Sequence, residues 1–266
     1  MLHKLILLML SSFSVYSWNY VNGGEDWTGL CASGNNQSPI DLQDNILTHI
    51  DSSHEIVSIK FALNGAFATT FIHSNVGSFI NFSVFGTIQV NSAKITIRNM
   101  HYHAPAEHPI NGHHHDLEFH FFGSDEQNNN FGFGVFLEVG KKPNKFVQAS
   151  IDSYVGGFDQ YIDTNWLVEN GKLDNFYFYN GSVTNPAYGD CSEIVTWTVI
   201  KEPLDISQEQ LDFFNNLWEH NKTFAGGHGS NRKVRPLNGR TVYFYSDSNK
   251  KVVEEGEVKK PSLFLF

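Results

Sequence analysis

Three histidines are spaced so that they could bind a single metal ion. His101 and His103 are separated by one residue, and His120 follows further along the chain. Residues two apart in a β-strand point to the same face, so His101 and His103 can share a face that His120 joins from a neighbouring antiparallel strand. Three neutral imidazoles form a donor set for Zn²⁺ and leave the fourth tetrahedral position open, as in catalytic zinc sites.

Two more side chains are placed to orient these rings. Asn99 lies two residues before His101, and Glu118 lies two before His120, so each shares a strand face with a histidine. Metal-bound imidazoles have their second ring nitrogen held by a carboxylate, an amide or a carbonyl. The alternative is a chance pair of surface histidines, since the chain has 13 histidines. A potential partner on each of the two strands favours metal binding.

The elements that must position these side chains are short strands separated by polar, Gly- and Asn-rich connections. This pattern favours an all-β or strand-dominated domain. The clearest strand-like segments are residues 79–85, 95–102, 117–122, 131–139 and 194–200.

Two helices are predicted as well. Residues 207–210 form a capping box ahead of Leu211, Phe214 and Leu217, which are apolar at helical spacing. A weaker helical pattern covers residues 158–168.

The composition limits the classes of protein to which the chain can belong. Its 266 residues are 41% hydrophobic and 14% aromatic, which is enough for a sizeable, strand-rich core. The formal net charge of −10 argues against a nucleic-acid partner and against anionic membranes. The sequence contains no internal repeat, phosphate-binding loop or dinucleotide-binding fingerprint, and nothing in it predicts an oligomeric state.

The N-terminus has the pattern of a secretory signal peptide over residues 1–17. Lys4 supplies the positive charge, residues 5–10 form an apolar run, and Ser17 ends a small-residue cleavage site. The alternative, a membrane anchor, needs an apolar run of about 20 residues, so we expect no membrane span in the mature chain. The pattern predicts a mature domain of residues 18–266, secreted or retained in the lumen of the secretory pathway.

The cysteine content agrees with secretion. Cys31 and Cys191 are the two cysteines of the chain, and in a secreted protein one disulfide is the simplest interpretation. Two free buried thiols are the alternative. Asn180 and Asn221 begin potential N-glycosylation sequences.

Six ordered motifs resemble those of the α-class carbonic anhydrases, over about residues 18–245. Residues 37–41 resemble QSPI(D/N), and residues 101–112 resemble the run HFHxPSEHxxNG. The other four are residues 118–120 (ELH in the family), residues 179–186 (YxGSLTTPP), residues 195–203 (a Trp followed by Lys-Glu-Pro), and residues 235–240.

The resemblance implies a mainly β, single-domain fold. Its central sheet would be twisted and mostly antiparallel, with a few short peripheral helices and the zinc in a conical cleft. The implied reaction is the reversible hydration of carbon dioxide to bicarbonate and a proton by zinc-bound hydroxide, with accompanying esterase activity. By resemblance, Thr184 accepts a hydrogen bond from the hydroxide and donates its own proton to Glu107. The alternatives are an ordinary strand-end threonine and a solvated loop carboxylate.

The chain departs from the family at the position of the proton shuttle. The family's shuttle histidine corresponds to Ser78 here, and a serine does not carry a proton near neutral pH. We therefore expect a slower enzyme whose turnover rises with buffer concentration. His73 is close enough in sequence to substitute, although a surface histidine is the simpler interpretation.

A second departure concerns the substrate pocket. Phe122 stands where the family has a small branched residue, and Gly132 stands where the facing strand has valine. A large residue opposite a small one conserves volume, which predicts a reshaped pocket. Val183 replaces the usual leucine and Trp197 is retained as the floor. Asn185 replaces a common threonine at the rim.

Two other interpretations stay open. The chain could be a catalytically weak binding or storage protein built on this fold, or a zinc hydrolase for a larger substrate. The histidine run at residues 113–115 resembles a second metal site, but its position in a hairpin loop predicts that these side chains are solvated.

Overall fold

The computed structural model describes residues 18–50, 59–62, 66–67, 81–82, 86–90, 93–156, 161–162, 175–186, 190–218 and 220–246. The signal peptide prediction, Ser78 and His73 lie outside these residues. The strands are β1 Thr48–Ile50, β2 Ile59–Ala62, β3 Ala66–Phe67, β4 Asn81–Phe82, β5 Gly86–Val90, β6 Ala93–His103, β7 Leu117–Ser124, β8 Asn130–Val139, β9 Tyr161–Ile162, β10 Asn175–Gly181, β11 Val195–Ile206 and β12 Tyr243–Ser246. The helices are α1 Leu30–Ser33, α2 Lys145–Gly156, α3 Gln208–Trp218 and α4 Lys222–Ala225, and Asp44–Ile46 is a 3₁₀ turn.

Ten of these strands form one mixed sheet. Its order is β1-β12-β10-β11-β8-β7-β6-β5-β2, with β4 also paired to β6, while β3 and β9 pair separately. Among the described strands of this sheet, only the β1–β12 and β8–β11 pairs are parallel. The structure confirms the predicted fold class, a mainly β domain with a mostly antiparallel central sheet.

The predicted strands at residues 95–102, 117–122, 131–139 and 194–200 are confirmed as the cores of β6, β7, β8 and β11. The segment 79–85 is described as a strand at Asn81–Phe82. The helical prediction for residues 158–168 is wrong at the described residues 161–162, which form strand β9. Periodicity alone does not separate a short apolar strand from a helix.

Helix α3 begins with the predicted capping box. The backbone N–H of Gln210 donates to Ser207 Oγ at 3.3 Å, and the Ser207 N–H donates to Gln210 Oε1 at 3.1 Å. The same Gln210 side chain donates to the carbonyl of Asn144 at 2.8 Å, just ahead of α2. The Gln210 side chain therefore joins the start of α3 to the start of α2. Helix α2 was not predicted from the sequence.

The helices cover one face of the sheet and leave the other for the cleft. Met100 and Tyr102 of β6 point into a buried cluster that also contains Phe146 of α2 and Phe214 of α3. The Tyr102 hydroxyl lies 2.9 Å from Ser150 Oγ. Alternate residues of β6 therefore face the opposite side, where the histidines lie. Packing against the helices on this face therefore fixes the position of β6 and β7, which carry the three histidines on their other face.

A disulfide joins Cys31 to Cys191, as predicted. It links α1 to the segment that leads into β11. None of the helices in the described part of the chain is long and apolar enough to span a membrane.

Candidate active site

The three predicted histidines converge on one buried point. In the antiparallel β6–β7 pair, His101 lies directly opposite His120, and His103 lies opposite Glu118. All three histidine side chains are fully buried. Their ring centroids are 4.6 to 5.2 Å apart, and one nitrogen of each lies within 4.8 Å of those of the other two.

The rings of His103 and His120 are oriented by acceptors on their outer sides. His103 Nδ1 lies 2.6 Å from the carbonyl oxygen of Ser230, and because a carbonyl only accepts, Nδ1 must carry the proton. His120 Nε2 lies 2.9 Å from Glu118 Oε1, in an ion-pair contact that does not have hydrogen-bond geometry. These contacts direct Nε2 of His103 and Nδ1 of His120 toward the common centre, as metal ligands require.

Burial also keeps these imidazoles in the form that binds metals. It lowers the pKa of His101 well below the usual value of 6.5, and the neighbouring His103 and His120 lower it further. Burial lowers the pKa of His103 as well. Neutral rings with available lone pairs are therefore favoured at neutral pH.

The carboxylate of Glu118 is itself held on several sides. Its Oε2 accepts from the backbone N–H groups of Glu107 and His108, each at 2.9 Å, and its Oε1 lies 2.8 Å from His108 Nδ1. His108 Nε2 in turn lies 2.7 Å from the Tyr179 hydroxyl. Burial alone would raise the pKa of Glu118, but His108 and His120 hold it well below its usual range.

Strand β8 makes room for this carboxylate with a glycine. Gly134 lies opposite His120, and a Cβ atom there would lie 2.5 Å from Glu118 Oε1. Any side chain at position 134 would therefore displace the group that holds the His120 ring.

Asn99 does not hold His101 in this arrangement. The Asn99 Oδ1 atom is buried without a hydrogen-bond partner. The His101 ring instead stacks on Phe122, with ring centroids 5.6 Å apart and an interplanar angle of 5°. An orienting role for Asn99 stays a prediction.

Glu107 and Thr184 are both fully buried, and Glu107 lies beside two of the histidines. Glu107 Oε1 accepts from the Arg232 backbone N–H at 2.9 Å, while Oε2 lies 3.6 Å from His103 Nε2 and 4.0 Å from His120 Nδ1. The Thr184 hydroxyl and Glu107 Oε2 have no hydrogen-bond partner, so the predicted bond between them is not formed here.

Arg232, which sequence reasoning missed, anchors the loop that supplies these backbone groups. Its guanidinium donates to the carbonyl oxygens of Ser38 and Cys31, each at 2.7 Å. Burial lowers its pKa to about 10, which leaves it charged at neutral pH. It therefore fixes the loop on which Ser230 faces His103.

The predicted pocket wall is a row across three strands. Phe122 lies directly opposite Gly132, and Gly132 lies directly opposite Trp197. The Phe122 ring contacts the Trp197 ring edge-to-face, at a centroid distance of 5.2 Å. A Cβ atom on Gly132 would lie only 3.0 to 3.1 Å from three Trp197 ring atoms. The Trp197 ring therefore occupies the space that Gly132 leaves, and Phe122 packs against that ring.

The other residues of the predicted pocket are buried. Val183 is nearly buried and Asn185 is fully buried. An open pocket is lined by Asn99, Phe122 and Val183, together with Arg98, Gly123, Asn130, Ile194 and Val195. Arg98 was not singled out from the sequence; its guanidinium donates to Ser124 Oγ at 2.7 Å.

Comparison with known proteins gives a consistent result. The family model described as eukaryotic-type carbonic anhydrase matches residues 22–246. The chain is 27% identical over 255 residues to a carbonic anhydrase of Pectobacterium carotovorum, covering 89% of this chain and 97% of the relative.

Solved structures show the same likeness. An α-carbonic anhydrase from Thermovibrio ammonificans in complex with the inhibitor sulfanilamide superposes with a TM-score of 0.66 and 28% identity, covering 85% of this chain and 98% of the other. A structure of dioscorin complexed with ascorbate gives a TM-score of 0.69 at 21% identity, covering 88% and 99%. The dioscorin likeness concerns the fold alone.

Proposed function

Because the chain belongs to the eukaryotic-type carbonic anhydrase family, we propose that it catalyses the zinc-dependent, reversible hydration of carbon dioxide to bicarbonate and a proton. The observation that carries the proposal is the convergence of three buried imidazoles on one point, with two of the rings fixed from behind. A chance cluster of histidines would not carry such outer partners.

The donor set fits Zn²⁺. His101, His103 and His120 would hold the ion, and a three-nitrogen set with a fourth position open is the arrangement of catalytic zinc. The chemistry that zinc supplies in this family is a nucleophile at neutral pH, since the pKa of a water ligand falls to about 7, a value known for carbonic anhydrases generally rather than obtained from this structure.

We assign Thr184 and Glu107 to hold a proton beside the reacting atoms. The Thr184 hydroxyl would donate to Glu107 Oε2, leaving its oxygen lone pairs for the hydrogen of the attacking group. Two buried polar atoms without partners support this assignment, because such atoms are rare and costly unless a ligand or a small movement satisfies them. The Arg232 N–H holds the other carboxylate oxygen of Glu107.

The apolar wall suits a substrate without hydrogen-bonding hydrogens. The rings of Phe122 and Trp197 contact the His120 ring, and Val183 belongs to the same apolar cluster. Carbon dioxide would displace water from this surface, which favours its binding in contact with the wall.

Proton release is where we expect this enzyme to be slow. Position 78 is a serine, so the proton must pass to solvent or buffer. A group with a pKa near 7 takes up a proton with a rate constant of at most about 10¹⁰ M⁻¹s⁻¹, so it releases that proton at no more than about 10³ s⁻¹. This release rate is the expected upper limit on turnover without buffer.

The test is stopped-flow carbon dioxide hydration by the zinc-loaded mature protein across an imidazole buffer series. We expect turnover that climbs with buffer concentration. The matched variant Ser78→His should reach the same turnover at low buffer. Fast turnover of the parent at low buffer would contradict the missing shuttle and point to His73. If the protein binds one zinc ion but shows no turnover, the proposal that it is a carbonic anhydrase would be contradicted.

That last outcome would favour the second candidate, a binding or storage protein on this fold, which the Ser78 and Phe122 departures support. We also propose that the protein is secreted, which the Cys31–Cys191 disulfide supports. Asn180, whose side chain is exposed, and Asn221 are the proposed glycosylation sites.

A further inference from the structure

A second cluster of metal-ligating side chains lies at the surface, in the loop between β6 and β7. His113, His115 and Glu138 each offer one ligand atom, and these atoms lie within 4.8 Å of one another. His115 Nδ1 lies 3.4 Å from Glu138 Oε2, and the His113 and His115 ring centroids are 5.5 Å apart. From the sequence these histidines were interpreted as solvated. The sequence does not show that β8 brings Glu138 beside them.

The loop that carries the two histidines is held in place by its backbone. Ile110 and His113 exchange backbone hydrogen bonds of 2.9 and 3.0 Å around Asn111 and Gly112, which both have positive φ. This is the signature of a two-residue hairpin turn. The turn is fastened by the Gly112 N–H, which donates to an Asp41 carboxylate oxygen at 2.9 Å.

His114 separates the two ligands by pointing elsewhere. Its Nδ1 lies 2.7 Å from the carbonyl oxygen of Ala106, and the carbonyl of His115 accepts from the Ala106 N–H at 3.0 Å. His113 and His115 therefore lie on the same side of an extended segment. The His115 ring packs on Phe136 with centroids 4.7 Å apart, so much of its rotamer freedom is already lost.

We propose that His113, His115 and Glu138 form a second, solvent-accessible binding site for a divalent transition metal such as Zn²⁺. Two imidazoles and one carboxylate are a common ligand set for zinc, and they leave a position for water. Nitrogen donors disfavour Mg²⁺ and Ca²⁺. Ligand atoms of a tetrahedral zinc lie about 3.4 Å apart. His115 Nδ1 and Glu138 Oε2 already have this spacing, and the exposed His113 has to move by at most about 1.4 Å, since the three ligand atoms lie within 4.8 Å of one another.

The state of His115 supports the proposal. Its Nδ1 atom is buried and lies 3.4 Å from Glu138 Oε2 without hydrogen-bond geometry, so a metal ion held by both atoms would satisfy this nitrogen. A metal here would join the β6–β7 loop to β8, a link separate from the inner histidines.

The test is calorimetric titration of Zn²⁺ into the full chain already loaded with one zinc equivalent. We expect one further equivalent, no binding of Mg²⁺ under the same conditions, and an affinity at least tenfold weaker in His115→Ala and in Glu138→Gln. Glu138→Gln changes an exposed side chain, so it tests the ligand without loss of folding. The matched control is His114→Ala, a histidine of the same loop, which should keep the second equivalent.

Two results would overturn the proposal. One is the absence of a second equivalent in the parent protein. The other is a loss of affinity in His114→Ala as large as in His115→Ala, which would mean that the local density of histidines is what binds. Neither result depends on catalysis, so this experiment tests the second metal site independently of the proposed zinc site at His101, His103 and His120 and of its activity.

Discussion

Gly132→Val should disturb the catalytic pocket through Trp197. The absence of a side chain at position 132 lets the Trp197 ring lie flat against the backbone of β8, where a Cβ atom would be 3.0 to 3.1 Å from three of its ring atoms. Trp197 contacts His120 at a centroid distance of 4.8 Å. A displacement of Trp197 would therefore also move His120, one of the three proposed zinc ligands.

The size of the effect follows from these distances. Favourable carbon–carbon contacts begin near 3.5 Å, so the Cβ alone requires Trp197 to move by about 0.5 Å, and valine adds two methyl groups. Overpacking of this kind costs about 1–3 kcal/mol in stability. If about 1.4 kcal/mol of it reaches the transition state, turnover falls about tenfold.

Phe122→Val should relieve the strain, because the Phe122 ring packs edge-to-face on Trp197 at a centroid distance of 5.2 Å, and a smaller residue there leaves Trp197 room to move. In a double-mutant cycle we expect Phe122→Val with Gly132→Val to recover much of the lost turnover, with a favourable coupling of about 1–2 kcal/mol in unfolding free energy. The assays are carbon dioxide hydration and urea unfolding of the zinc-loaded proteins. Gly132→Ala, as the smaller step, should fall between the parent and Gly132→Val.

Equal turnover in Gly132→Val and the parent would refute this reasoning. Strictly additive effects in the cycle would refute the role given to Phe122, since two residues that pack against one tryptophan ring should couple.

Two further predictions concern the histidines. Glu118→Gln should weaken zinc binding by about 10- to 100-fold in chelator competition, because the His120 ring loses its charged acceptor; unchanged affinity would contradict that role. The metal-free protein should become less stable, with a smaller unfolding free energy, as the pH falls from about 7.5 to about 5.5. The unfolded chain takes up a proton on His101 near pH 6.5 whereas the folded one, with its lowered pKa, does not. Urea unfolding with a flat pH profile would contradict it.

The convergence of the three histidines could be predicted because strand alternation is a local rule. The spacing of His101 and His103 puts them on one face of β6, and the same alternation puts Met100 and Tyr102 on the other face, against the helices. The motifs also predict that Phe122 and Gly132 face each other, and these residues lie directly opposite in the β7–β8 pair.

The groups that escaped prediction are those whose role depends on tertiary position rather than on residue type. His103 is held by a backbone carbonyl of Ser230, and every residue has a carbonyl, so no sequence pattern marks it. Glu138 became a candidate ligand only because β8 places it beside His115. Gly134 did leave a signal, as the second glycine of a Gly-x-Gly spacing on the strand that faces His120, and it could have been found.

The arrangement of the three ligands also has a consequence for the order in which the chain folds. All three lie in one β-hairpin, β6 to β7, whereas the disulfide bridges residues with a sequence separation of 160. Closing a short loop loses less chain entropy than closing a long one, so local hairpins form on faster timescales than non-local strand pairs. The three histidines can therefore come together before β10, β11 and β12 complete the sheet.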